Sequence, residues 1–264
     1  MLITQARDVS SPLLEAEAVT KRFGGIVALR HYTLRLQTGE LLGLIGPNGA
    51  GKTTAFNLIS GVIKPTSGTI RFSGADITHE RPDRNAFHGI TRTFQNIRLF
   101  EQLSVFDNIR IALHMRHGSG LVGTLLYLPR FVRSERTIAK QAEQIMHILD
   151  IWRFRDTLAG NLAYGDQRRV EIARALAAEP KLLLLDEPAA GLNPSETEEM
   201  MKLISKIYEE YKLTLMLVEH DMKVIMRMCK RIQVLDQGLV IAEGPPEAIK
   251  SNPRVIEAYL GKSN

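Results

Sequence analysis

The sequence predicts an α/β fold. Its main body is a parallel, doubly wound sheet, with a helical segment inserted in the middle. Three observations predict it. Apolar runs of strand length alternate with helical patterns along most of the chain, the order that a doubly wound sheet requires. The first hundred residues are β-rich around a single strand–loop–helix unit, and from about 104 to 178 the character changes to helix.

The N-terminal strands are expected at 13–19, 32–36 and 69–72, with a turn at Thr38-Gly39-Glu40. Leu41 to Ile45 reads as a continuous buried strand and runs into a glycine-rich turn. A helix follows from Lys52 to Ser60, where Gly61 stops it. In the helical segment Ser104 is the expected N-cap before Val105, and Ser134 the expected N-cap of a helix with Ile138, Ala142, Ile145, Ile148 and Leu149 on one face. Residues 116–133 are poorly patterned. After Gly165 a further helix places Val170, Ala173, Leu176 and Ala177 on one side, and Leu182 to Leu185 forms a fully buried strand. The rest alternates: helix 195–210, strand 214–218, helix 221–228, strands 231–235 and 239–243, then two short helices opened near Pro245 and Pro253. The expected organisation is one domain over 13–261, with a helical subdomain inserted at roughly 96–163 and short C-terminal helices at 245–261.

Composition removes several classes. With 264 residues and 44% apolar content the chain can bury a core without disulfides, and it is not of disordered type. A single cysteine, Cys229, excludes a disulfide framework and a cysteine-rich metal site, and points to a reducing compartment. The longest apolar candidate, Leu121 to Val132, contains Gly123, Pro129 and Arg130 and falls short of the ~18 residues that span a bilayer. Met1 to Ser10 holds no apolar run of signal-peptide length, so a cytosolic or membrane-peripheral protein is expected. The 34 basic and 29 acidic residues leave a formal charge of +5, a mild preference for polyanionic partners.

Gly46-Pro47-Asn48-Gly49-Ala50-Gly51-Lys52-Thr53 has the pattern of a phosphate loop, with an apolar strand before it and a helix after it. Glycines let successive backbone N–H groups turn inward around phosphates, and the helix aims its N-terminus at the same anion. Lys52 supplies a point charge for the β- and γ-phosphates, and the Thr53 hydroxyl can ligate Mg²⁺. The fold class thereby sharpens to a P-loop NTPase core. Leu182-Leu183-Leu184-Leu185-Asp186-Glu187 is the second half. A carboxylate ending a buried strand lies at the edge where a doubly wound sheet binds ligands. Asp186 suits Mg²⁺, and Glu187, projecting the other way, suits the polarising of an attacking water.

Asn161-Leu162-Ala163-Tyr164-Gly165-Asp166-Gln167-Arg168-Arg169 resembles the signature of ABC ATPases. The order phosphate loop, Gln95, signature, Asp186-Glu187 and His220 is also that family's, over residues 13 to 261. The resemblance implies ATP and Mg²⁺ as cofactors and the ABC ATPase architecture: a P-loop NTPase core with a mixed, largely parallel sheet, an N-terminal antiparallel β subdomain and an inserted helical subdomain. It makes Phe23 the aromatic that stacks on adenine, and the loop residues through Thr54 the phosphate cradle. It assigns Gln95, in Thr93-Phe94-Gln95-Asn96, to Mg²⁺ and the water, and His220 to the γ-phosphate. Leu162 to Gln167 would close in trans on nucleotide held by a second ATPase subunit, so that ATP joins a dimer and hydrolysis releases it. Two departures stand out: Ala163 and Tyr164 replace the family's serine and first glycine, and Asn193 stands where the family commonly has Asp.

One ATPase module without spanning helices is similar to the subunits that dock on separate membrane permeases at the cytoplasmic side of a prokaryotic cell membrane. The finer resemblance is to the longer ATPase of branched-chain (hydrophobic) amino-acid importers. It rests on Thr91 to Phe100, Leu162-Ala163-Tyr164-Gly165 and Asn252 to Gly261, and implies an indirect link to a solute-binding protein. Related transporters of other amino acids, urea or lipopolysaccharide share parts of the pattern. Leu99, Phe100 and Val105 are candidates for a groove that receives a permease helix. A nucleic-acid-associated ATPase would need a basic, aromatic-rich surface, and no nucleic acid is expected. A module that binds ATP without turnover is disfavoured by the intact Lys52, Asp186, Glu187 and His220.

Overall fold

The computed structural model describes residues 11–117, 129–219 and 221–260. In chain order the first elements are strands β1 (Leu14–Phe23), β2 (Ile26–Leu36) and β3 (Leu41–Ile45), helix α1 (Lys52–Ile59), strands β4 (Ser67–Phe72) and β5 (Ala75–Asp76), helix α2 (Pro82–His88) and strand β6 (Ile90–Arg92). Helices α3 (Val105–His117), α4 (Pro129–Ile148) and α5 (Tyr164–Ala177) follow, then strand β7 (Leu182–Asp186) and helix α6 (Pro194–Tyr211). Strand β8 (Thr214–Val218), helix α7 (Met222–Met228), strands β9 (Arg231–Asp236) and β10 (Leu239–Gly244), and helices α8 (Pro246–Lys250) and α9 (Pro253–Leu260) complete the chain. The polypeptide divides into two compact units, with boundaries at His88/Gly89 and Leu213/Thr214.

The unit built from the two ends of the chain holds an antiparallel sheet in the order β2-β1-β4-β5. Its register sets Leu14 opposite both Leu36 and Phe72, and Ala16 opposite both Leu34 and Ile70. All six are buried, so one face of the sheet is a continuous apolar surface. β1 and β2 outrun the apolar stretches because backbone pairing continues through the polar residues up to Phe23↔Ile26. In the same unit β3 pairs in parallel with β8 and β9, and β10 turns back antiparallel on β9. Every residue of β3 and β8 is buried, which explains the apolar runs Leu41 to Ile45 and Leu215 to Val218.

The second unit pairs β6 in parallel with β7 and packs α3, α4 and α5 around Ile109, Leu113, Ala142, Met146, Val170 and Ala173. The Ser104 hydroxyl accepts the Asp107 N–H at 3.0 Å, the N-cap that its sequence position predicts. The expected cap at Ser134 is corrected: α4 begins five residues earlier, with Pro129 in its first turn, and Ser134 lies inside it. α2 and β6, at seven and three residues, were below the length at which periodicity speaks. Residues 118–128, most of the poorly patterned stretch, lie outside the described residues. Among the described residues no helix is long and apolar enough to cross a membrane.

Candidate active site

In the first unit, β3 delivers the chain into the loop at Gly46. Gly46 has φ +151°, and a Cβ there would lie 2.1 Å from the Leu235 carbonyl oxygen. Gly51 has φ +106°, and a Cβ would lie 2.7 Å from the Ala28 oxygen. Both end glycines are therefore required by conformation and by space. The Ala50 N–H donates to Pro47 O at 3.2 Å, and Ala50 O accepts the Gly238 N–H at 3.0 Å, which ties the loop to the β9–β10 turn. Gly51 caps α1 without a side chain, so no side chain blocks the first-turn N–H groups from an anion. Lys52 is buried, and its Nζ donates to Gly46 O at 2.6 Å and Pro47 O at 2.9 Å. Pro47 is half-buried, Asn48, Gly49 and Thr53 are exposed, and Thr54 is half-buried at the start of α1. Phe23 ends β1 with 49% exposure, and the Lys21 ammonium sits 5.0 Å from its ring centroid. Tyr259 of α9 also reaches this loop. Burial raises its phenol pKa, against a main-chain hydrogen bond from Gly46 that lowers it.

In the second unit, four leucines and Asp186 make up β7, all buried. Asp186 Oδ2 accepts from Arg92 Nη2 at 2.7 Å, and the two side chains are 4% and 5% exposed. The β6–β7 register brings them together by pairing Arg92 with Leu184. Glu187 is buried with φ +50°, a left-handed conformation uncommon for a side-chain-bearing residue. Its Oε2 accepts from Gln95 Nε2 at 3.1 Å. Gln95, Asp186 and Glu187 are thus gathered in one unit, and Phe23 and the loop 46–54 in the other. His220 lies outside the described residues.

The signature residues precede and open α5. Leu162 is buried and its carbonyl accepts from Gln167 Nε2 at 3.0 Å. Ala163 caps the helix without a side-chain hydrogen bond. Tyr164, Gly165 and Asp166 then form the first turn, beside a cleft of about 170 Å³ lined in part by Ala163, Gly165, Arg153 and Arg169. The Tyr164 hydroxyl accepts from Arg168 Nη2 at 3.0 Å, and its ring covers Gly191 so closely that a Cβ there would lie 3.2 Å from it. Asn193 has a local reason to be Asn: its side chain accepts the Glu196 N–H at 3.0 Å and Glu196 returns the bond, a capping box that opens α6. Of the groove candidates, Phe100 is 46% exposed and Leu99 half-buried, but Val105 is wholly buried in the helical core and is withdrawn from that role.

Comparison with known proteins adds the family. The model described as ABC transporter matches residues 29–190. The chain is a member of the ABC transporter family. It is an ATP-binding cassette, and members of the family hydrolyse ATP. A second model, described as branched-chain amino acid ATP-binding cassette transporter, matches residues 240–263 of the cassette. The cassette is 43% identical to the high-affinity branched-chain amino acid transport ATP-binding protein BraF of Pseudomonas aeruginosa, over 97% of this chain and 100% of that one. It superposes on the ADP conformation of MJ1267, an ATP-binding cassette of an ABC transporter, with a TM-score of 0.80, 29% identity, and 96% and 100% of the two chains covered. For the dimeric bacterial cassette MJ0796 the TM-score is 0.75 at 29% identity, over 88% and 98%.

Among the described residues no cluster of three or more His, Cys, Asp or Glu could hold a metal by itself. Hard oxygen donors are present in each unit separately: the Thr53 hydroxyl in the first, and the Asp186 carboxylate and Gln95 amide in the second. Oxygen donors of this kind are those that Mg²⁺ takes, one or two carboxylates with phosphates and water completing its shell.

Proposed function

We propose that the cassette is the ATP-hydrolysing motor of an importer for branched-chain or other hydrophobic amino acids, peripheral to the cytoplasmic face of the membrane and docked on separate permease subunits. The match of its C-terminal segment 240–263 to the branched-chain amino acid cassette model carries the solute class, and the similarity to BraF along the whole chain supports it. A solute-binding protein would deliver the amino acid to the permeases.

Each residue's part follows from its chemistry. Phe23 offers an open aromatic face to adenine. Lys52 exchanges two carbonyl partners for phosphate oxygens, while main-chain N–H groups of the loop, Pro47 having none, cradle the phosphates. Thr53, Asp186 and Gln95 would hold Mg²⁺, which when bound neutralises charge on the β- and γ-phosphates. The Glu187 carboxylate orients a water and accepts its proton at an Oε atom, with Gln95 Nε2 fixing the other face of the carboxylate. His220 would serve the γ-phosphate on the strength of the family pattern alone. The uncapped first turn of α5, at Ala163 to Gln167, meets the γ-phosphate of a second ATPase subunit. Without the signature hydroxyl, that contact rests on main-chain N–H groups.

The test is leucine uptake by a membrane preparation holding the cassette and its permeases. Lys52→Ala should abolish both uptake and hydrolysis. Hydrolysis that persists in Lys52→Ala, or a wild-type cassette that never co-purifies with permeases, would contradict the proposal.

A further inference from the structure

The main chain on either side of the Phe94–Gln95 peptide is held by α5 at three points. Arg168, 1% exposed, donates from Nη1 to Phe94 O at 2.6 Å and from Nη2 to Gln95 O. Glu171, one turn further along α5, accepts the Phe94 N–H at 3.1 Å on Oε1, and its Oε2 accepts from Arg168 at 3.0 Å. Burial raises the Glu171 pKa, against the hydrogen bonds from Phe94 and Arg168, so the buried ion pair and the loop backbone satisfy one another. The guanidinium fork spans two successive carbonyls, a geometry that a lysine ammonium cannot reproduce. The next atoms along are those of the Gln95 side chain, whose amide reaches Glu187. Tyr164, the first residue of α5, accepts from the same guanidinium.

We propose that Arg168 is a positioning residue for the reaction: with Glu171 it clamps the backbone at Phe94 and Gln95 and thereby holds the Gln95 amide against Glu187. The proposal rests on the reading of Gln95 and Glu187 given above and extends it to a pair on the signature helix. A merely structural ion pair would stabilise α5 without touching turnover. A clamp makes turnover depend on Arg168 only through Gln95.

The experiment uses the full chain. Arg168→Met combined with Glu171→Leu removes both charges together, so neither is left buried and unpaired. Amide exchange at Phe94 should accelerate more than about 10-fold while exchange in the middle of α5 is unchanged, because the Phe94 N–H has lost its acceptor. The kcat for ATP should fall about 10–100-fold, the scale of a misplaced catalytic group, with KM for ATP within about twofold. Added to Gln95→Ala, the pair should cause no further loss. Arg168→Lys, which keeps the charge beside Glu171, should show a smaller kcat loss that likewise vanishes in Gln95→Ala. Unchanged Phe94 exchange, or a loss that multiplies with that of Gln95→Ala, overturns the clamp. A Gln95→Ala variant with full kcat overturns the reading of Gln95 itself and the clamp with it, whereas a defective Gln95→Ala beside a fully active Arg168→Met/Glu171→Leu overturns the clamp alone.

Discussion

Replacing Arg92 by Met tests the electrostatics of the second unit most sharply. The Arg92–Asp186 pair closes at 2.7 Å with both side chains about 95% buried, and the Asp186 N–H donates to Thr93 Oγ1 at 3.3 Å. Two unit charges about 4 Å apart attract by about 4 kcal/mol at an effective dielectric constant of about 20. Removing one partner of a buried pair typically costs about 3–5 kcal/mol, because the other charge is left desolvated. With a urea m-value near 2 kcal/mol/M, that loss lowers the unfolding midpoint by about 1.5–2.5 M. Trp152 is the single tryptophan of the chain and lies in the same unit, stacked on His147 at 4.8 Å, so its fluorescence follows the unfolding of that unit. Converting Asp186 to Asn in the Arg92→Met background should recover part of the loss, since the charge left unpaired by Arg92→Met is then gone. A midpoint within about 0.3 M of wild type for Arg92→Met would show that the buried pair carries no stability of this size.

Three further outcomes are expected. Burial pushes the Cys229 thiol from 9.0 up to about 12, so the folded chain keeps a proton that the unfolded chain loses near pH 9. The stability this contributes is complete below pH 9 and lost as pH rises toward 12, and the stability difference between wild type and Cys229→Ala should shrink across that window in urea titrations. The buried Tyr32 hydroxyl has no hydrogen-bond partner among the described residues, so Tyr32→Phe should leave the melting curve unchanged or stabilise the fold by up to about 1 kcal/mol; a clear loss would contradict this. Phe100→Asp changes a half-exposed ring under the Arg174 guanidinium, 4.7 Å away, and should abolish transport while sparing basal hydrolysis in an ATPase assay.

Local signals were legible where one residue type had one physical reason. Gly46 and Gly51 needed positive φ beside a backbone, β3, β7 and β8 needed apolar residues on both faces, and Ser104 needed a free N–H to cap. What stayed hidden depends on partners far away in the chain. Arg92 and Asp186 are 94 positions apart, and only the β6–β7 register joins them. In sequence Arg168 is one of two arginines closing the signature-like run, whereas the fold buries it on a loop 73 positions upstream; its spacing of three from Glu171 on one helix was the available signal. Arg169, its neighbour, pairs with Glu199 and Asp150. Val105 looked like a groove residue because an apolar side chain at a helix start has the same sequence appearance whether it faces solvent or the core.

In the proposed mechanism ATP completes the cassette by joining it to a second ATPase subunit, across the uncapped end of α5. Glu187→Gln removes the carboxylate proposed to accept the water's proton and keeps its size, so nucleotide should bind and persist. Sedimentation velocity of Glu187→Gln, alone and mixed with a paralogous ATPase subunit, should show dimers with ATP and Mg²⁺ and monomers without them. A chain that remains monomeric with ATP in both mixtures would contradict the claim.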